Sequence, residues 1–323
     1  HVLDSSLEAG GALGITATSD KNIDALGLAA ALSVSASSGS FTFSGAVGAA
    51  TAINTIGGTV EAQIAGADAA DAQSVHAGGP ITLLADNSST IDATLATAAG
   101  SVSIGSGTVN LSLAGAVSVT TNTITSETLA GIDNSDVDSG AEVSITANAG
   151  NEIHADTVAV ALSVAAGSGT VTLAGGFAVA TAINKIGGST EALIEGGSIL
   201  DAAGDVRVNV DDTAVIDSNV VAAAVAVSAS SGSVSGSLAL AVSVAENTID
   251  GVSRASIDAS DISTSAGGDV TVSALADNQI DAVAAAASVT VAASSSIGIS
   301  ISDAGAWAKN VTTNEVEASI VNG

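Results

Sequence analysis

Three residue types return along this chain in one common phase, and that repetition constrains its fold more than any other feature. A Gly turn falls at Gly10, Gly78, Gly140, Gly204 and Gly267. An Ile that opens a long small-residue ribbon falls at Ile23, Ile91, Ile153, Ile216 and Ile280. An Asn follows at Asn54, Asn122, Asn184, Asn247 and Asn310, with spacings of 68, 62, 63 and 63 residues. Such a period marks an array in which each unit buries its apolar surface against the next. The clearest copy, GDVTVSALADNQIDAVAAAASVTVAASS, starts at Gly268. Five units result, at about 1–67, 68–134, 135–197, 198–259 and 260–323, forming one continuous array rather than separate domains.

The material of the repeat favours strands. Apolar residues make up 47% of the chain but aromatics only 1%, namely Phe41, Phe43, Phe177 and Trp307. Val, Ile, Ser and Thr suit a pleated surface, and Ala-rich layers can interdigitate closely without large rings. In the fourth repeat, Val206, Val208 and Val210 alternate with Arg207 and Asn209, the pattern of a strand with one wet face. Asp211-Asp212-Thr213 reads as a turn, and Ile216–Ser230 as a ribbon of small residues on both faces. Ser230-Ser231-Gly232-Ser233 reverses the chain, Val234–Ala245 returns, and Glu246–Gly251 reads as a second corner. The expected fold is all-β, a repetitive β-solenoid of about five ~63-residue repeats with long strand pairs. Two versions stay open. The long pairs are hairpins projecting from a narrow solenoid, or each repeat is a large coil whose ribbons face each other as a flat arch.

Charge excludes several partners. The chain carries 33 acids against Lys21, Lys185, Arg207, Arg254 and Lys309, a net charge of −28. Five scattered bases cannot make the positive stripe that nucleic acid requires. They cannot make a polybasic membrane contact either, and no apolar run is long enough for a spanning helix, so membrane insertion is not expected. With no Cys there is no disulfide framework and no thiolate metal site.

Candidate sites are few. Asp24, Asp92, Asp217 and Asp281 each follow the anchor Ile, and His154 takes that position in the third repeat. Stacked in register they form a row of carboxylates, whose mutual repulsion a hard cation such as Ca2+ would relieve. The competing reading is a row of solvated polar positions, because no Asp-x-Asp-x-Asp-Gly loop or nonapeptide Ca2+ motif is present. The recurring Asn54, Asn122, Asn184, Asn247 and Asn310 can form an amide ladder between repeats. Alternatively, Asn simply tolerates a left-handed corner. Gly in the Ala-Gly-Gly turns is expected to supply positive φ. His1, His76 and His154 do not share a repeat phase, and no nucleophile elbow, catalytic Ser/His/Asp set or phosphate loop exists. Trp307, in the phase of Val244, reads as a core or interface plug. No catalytic residue and no cofactor is expected.

The repeat as a whole, with its AGGDVxV turn, Ile-Asp step, small-residue ribbon, Ser-Ser-Gly-Ser reversal and Asn-Thr-Ile, resembles the tandem β-strand repeats of very large secreted bacterial surface proteins. These are of the filamentous haemagglutinin and leukotoxin-like adhesin type. The resemblance covers all five repeats and implies a β-solenoid shaft, extracellular or on the cell surface, acting in adhesion or as a filament. The head and tail of the chain join into a sequence like the internal junction Glu191–Asp205: either the chain is a segment of a longer array, or copies self-associate by repeat stacking or through the apolar ribbons. The expected function is that of a non-enzymatic structural segment. A Ca2+-dependent binding module and a carbohydrate-active β-helix are the alternatives, the latter short of the aromatics and bases that a sugar groove needs.

Overall fold

A computed structural model of the chain describes residues 1–67, 74–265 and 267–322. The start of the second repeat, at 68, and Ala266 of the last Gly corner lie outside the described residues. Each repeat supplies an outgoing long strand, a returning long strand and a short strand. The outgoing strands are β3 (Leu13–Ser37), β6 (Ile81–Gly105), β9 (Val143–Gly167), β12 (Val206–Ser230) and β15 (Val270–Ala293). The returning strands are β4 (Phe41–Ala65), β7 (Val109–Asp133), β10 (Val171–Glu195), β13 (Val234–Asp258) and β16 (Ile297–Val321), preceded in their sheet by β1 (Val2–Leu3). The short strands are β2 (Leu7–Ala9), β5 (Val75–Ala77), β8 (Asp136–Ser139), β11 (Ile199–Ala202) and β14 (Asp261–Thr264).

These form three parallel sheets, ordered β1-β4-β7-β10-β13-β16, β14-β11-β8-β5-β2 and β15-β12-β9-β6-β3. The chain is therefore a β-solenoid in which one repeat is one wide coil, the second of the two versions left open by the sequence. Nothing projects as a hairpin, because each long strand pairs with its equivalents in neighbouring rungs along its whole length. The register is residue for residue: Ile23, Ile91, Ile153, Ile216 and Ile280 stand in one column.

Two corners expected within the repeat are absent. Asp211–Thr213 lies inside the 25-residue β12 and Glu246–Gly251 inside the 25-residue β13. The strands run through: Asp212 and Asn247 are buried in the interior, while Asp211, Thr213 and Glu246 point outward. The Ala-Gly-Gly glycines also differ from expectation. Of the five anchor glycines only Gly267 has a positive φ, 77°. At Gly78 and Gly140 a Cβ would instead press the carbonyl of the rung below, 2.8 Å from Gly10 O and 2.6 Å from Gly78 O, so small size is what the stacked corner selects. Positive φ recurs at the other corner, at Gly66, Asn134, Gly196 and Ala259, and within the returning strands at Gly58 and Gly188.

The interior divides along the strands. At one end, the base, all three sheets enclose large aliphatics, among them Ile64, Ile81, Leu83, Ile132, Ile145, Ile194 and Leu200. Beyond it the third sheet stops, and the two long sheets close directly on each other as a two-layered blade. The blade interior is Ala-rich, with Ala116, Ala161, Ala180, Ala222, Ala224 and Ala241 fully buried. Such small side chains allow close approach: a Cβ on Gly176 would lie 2.8 Å from Val225 O across the blade, and one on Gly48 would lie 2.9 Å from Ala98 O.

Candidate functional site

The Asn anchors lie inside strands and point into the blade. Asn54 Nδ2 donates to Asn122 Oδ1, Asn122 to Asn184 and Asn184 to Asn247, each at 2.8 Å, and Asn247 donates to Asn310 at 2.9 Å. One amide proton and one carbonyl oxygen are thus consumed per step. Asn184 Nδ2 also donates to Ser218 Oγ of the facing sheet at 3.2 Å, tying the two layers together. None of these five has a positive φ.

Asp24, Asp92, Asp217 and Asp281 point outward from the outgoing sheet, in one column with His154 between the pairs. Neighbours in such a column stand about 4.8 Å apart. His154 Nε2 meets Glu152 Oε1 at 2.8 Å, and its Nδ1 lies 3.9 Å from Asp217 Oδ2. Gln279 donates to Asp281 at 2.6 Å and Asn22 to Asp24 at 3.3 Å. The row is straight and presents its oxygens side by side. A Ca2+ ion takes six to eight oxygens from around it, and among the described residues no group of three or more His, Asp or Glu converges on a point. His76 instead pairs with Asp138 at 3.0 Å and His1 with Glu61 at 3.4 Å, far from that row in register.

Between base and blade runs a buried polar seam that sequence reading took for a turn. Asp212 lies there, accepting a hydrogen bond of 2.7 Å from Ser253 Oγ. Burial pushes its carboxyl above the ordinary range, while the hydroxyls of Ser253 and Thr190 hold it back. Asn87 donates to Ser126 at 3.0 Å in the same seam. A cavity of about 20 Å³, bordered by Asn151, Asp212 and Asn314, is the size of one water molecule. At the base edge, burial is also the first cause raising Glu195, followed by the neighbouring charge of Asp133.

The outer faces of the blade form the largest feature. Of the 33 acids and five bases, only Asp156 and Asp303 fall in segments 25–52, 93–120, 155–182, 218–245 and 282–308, which make up the blade beyond the acidic row. Its outer surfaces carry the larger apolar side chains: Leu26, Leu28 and Leu32 are 73%, 71% and 77% exposed, and Val47 and Ile53 are 74% exposed. Phe41, Phe43, Phe177 and Trp307 all stand on the outer face of the returning sheet. Trp307, 51% exposed, is therefore no core plug. On this face Gly175 and Gly236 open a groove of about 310 Å³ between Leu113, Leu173, Phe177, Leu238 and Ile301.

None of the family models, curated proteins or solved structures compared with this chain matches it. The fold defines its class without them: a parallel β-solenoid repeat protein with one coil per repeat. The alternation that would have revealed the outer faces was already in the ribbons. Val221, Val225 and Val227 point out, while Ala222, Ala224 and Ala226 point in.

Proposed function

We propose that this chain is a non-enzymatic structural segment of an extracellular bacterial adhesin or self-assembling filament. The observation that supports it is the identical pairing at each step of the array. Every rung meets the next in full register along two long strands, and the Asn ladder repeats the same bond inside. A load along the axis is thus shared by dozens of backbone hydrogen bonds and a side-chain column, while the acidic exterior of the base repels unrelated copies. The same geometry lets rungs of separate copies add to one another. Sedimentation velocity at micromolar concentration should show rods that lengthen with concentration, with and without Ca2+. Monomers under both conditions would overturn the filament reading, and rods only with Ca2+ would replace it with the Ca2+-dependent module.

A further inference from the structure

We propose that copies of this chain join head to tail, the last rung of one seating on the first rung of the next. This rests on the filament reading above and gives it a joint, a direction and the residues that set them. The joint continues the interface by which each rung already meets its neighbour within the chain. Extending the register by one step sets residues 13–36 against 270–293 of the second copy. It likewise sets 41–62 against 297–318 and 7–9 against 262–264. β1 already covers Ile64 and Ala65 on the β4 edge, so the last residues of β16 give way to it. A strand of 25 residues runs about 80 Å at ~3.3 Å each, and facing sheets stand about 10 Å apart. The contact is therefore roughly 800 Å² per copy, the area that stable protein interfaces bury.

Direction comes from the Asn ladder. Every amide donates toward the last rung, from Asn54 through to Asn310. The column therefore ends on the Oδ1 acceptor of Asn54 at one edge and on the Nδ2 donor of Asn310 at the other. Seating a last rung on a first rung brings Asn310 Nδ2 to Asn54 Oδ1 and makes the column continuous. Two first rungs face to face would oppose carbonyl oxygens, and two last rungs would oppose amide donors.

Two residues of the first rung gain a role from such a neighbour. At the blade tip, a Cβ on Gly107, Gly169 or Gly232 would run into the carbonyl of Gly39, Gly107 or Gly169 respectively, one rung away. A Cβ on Gly39 would meet only the Ser37 hydroxyl, at 3.3 Å, so no other part of the described chain requires glycine there. In the joint, the carbonyl of the second copy's tip takes that place. Lys21 is the other residue. It points into the polar seam, where a Cβ on Gly58 would lie 3.4 Å from its Nζ. Among the described residues the other four bases pair with carboxylates: Lys185 with Asp250, Arg207 with Glu142, Arg254 with Glu317 and Lys309 with Glu246. The joint stacks Asn278 on Lys21 and Asn314 on Gly58. Among the described residues the Oδ1 atoms of both Asn are buried without a partner in the last rung, and a half-turn of either amide presents that oxygen to the ammonium. On the outside the joint sets Asp24 beside Asp281 and Glu61 beside Glu317, so association strengthens as salt screens them.

The chain has no Cys, so introduced ones report the joint. Thr16 and Ser273 point outward in one column, four rungs apart. That is about 19 Å at ~4.8 Å per rung, too far for a disulfide within one chain, whereas across the joint the two are neighbours. At physiological salt, oxidised Thr16→Cys/Ser273→Cys protein should give a ladder of multimers on a non-reducing gel. Each single variant should stay monomeric there, and an equal mixture of the two should give dimers alone. Gly39→Val should raise the concentration for half-assembly at least tenfold with an unchanged β-sheet circular dichroism spectrum. Lys21→Met should raise it severalfold. Gly14→Val, outward on β3 with open space around its Cβ, should leave it within twofold. Single-Cys variants that cross-link to themselves, or rods in sedimentation with no disulfide ladder, overturn the head-to-tail joint and leave the filament reading standing. Gly39→Val protein that assembles like wild type overturns the joint as well. Monomers throughout overturn both.

Discussion

Base and blade are built from the same strands, continuous for 24 or 25 residues, yet they are stabilised in opposite ways. In the base, large aliphatics face inward and charges face water, so burial of Leu and Ile against three sheets supplies the driving force. In the blade, most large side chains face outward, and the interior is chiefly close contact between Ala layers, with Leu95 and Val220 as buried exceptions. What holds the blade is the backbone pairing between rungs, supplemented by Asn and Ser bonds between and across them. One repeat therefore carries a nucleus of ordinary hydrophobic packing and an extension that depends on stacking.

Leucine offers the sharpest way to break this contrast. Leu83 in the base is 0% exposed and Leu162 on the blade is 44% exposed. Leu83→Ala should destabilise by about 2–5 kcal/mol, the cost of the lost burial and the cavity left. Leu162→Ala should stay within about 0.5 kcal/mol, as surface changes do. Urea midpoints of both variants in lipid-free buffer measure the difference. Equal losses would mean that the outer face of the blade is packed in solution, and the two regions would not differ as described.

The ladder tests the blade from within. Asn184→Ala removes the middle rung, leaving the Asn122 amide without its acceptor and the Asn247 carbonyl oxygen without its donor. Buried polar groups left unpaired cost about 1–3 kcal/mol, and the bond to Ser218 goes as well. Asn310→Ala, at the end of the column, strands only one partner and should cost less. A loss at Asn310 as large as that at Asn184 would show that the amides act separately.

The repeat and its strand content were legible because Gly, Ile and Asn recur in a single phase, and stacking in register is what such a phase requires. The coil count was not. Asp211-Asp212-Thr213 has the composition of a turn, and only the Ser253 hydroxyl facing Asp212 shows why a carboxylate is tolerated inside a strand. Glu246–Gly251 misled for a related reason: Lys309 and Asn310 of the next rung give Glu246 and Asn247 their partners, and those contacts lie 63 residues away. The acidic row could be placed from the sequence because it follows the anchor Ile. What faces it could not, since the opposing positions, Ile53, Thr121, Ile183, Glu246 and Lys309, share no one residue type.

Asp212 gives the smallest effect and the one with a defined pH signature. Its pKa is raised in the fold, chiefly by desolvation, so the folded protein holds this proton more tightly than the unfolded chain does. Stability from this group is therefore greatest in acid and falls as pH rises from the ordinary carboxylate range through the raised folded value. Above that value the buried charge is a constant penalty. Asp212→Asn keeps an acceptor for Ser253 and removes the charge, so the variant should be the more stable one at neutral pH. Its advantage should shrink as pH is lowered and vanish where the wild-type carboxyl is protonated in both states. Denaturation midpoints of the two proteins across pH 3–8 measure this difference while cancelling the other acids. A variant less stable than wild type at pH 7 would mean that the seam needs the carboxylate, and that the hydroxyl bonds outweigh burial there.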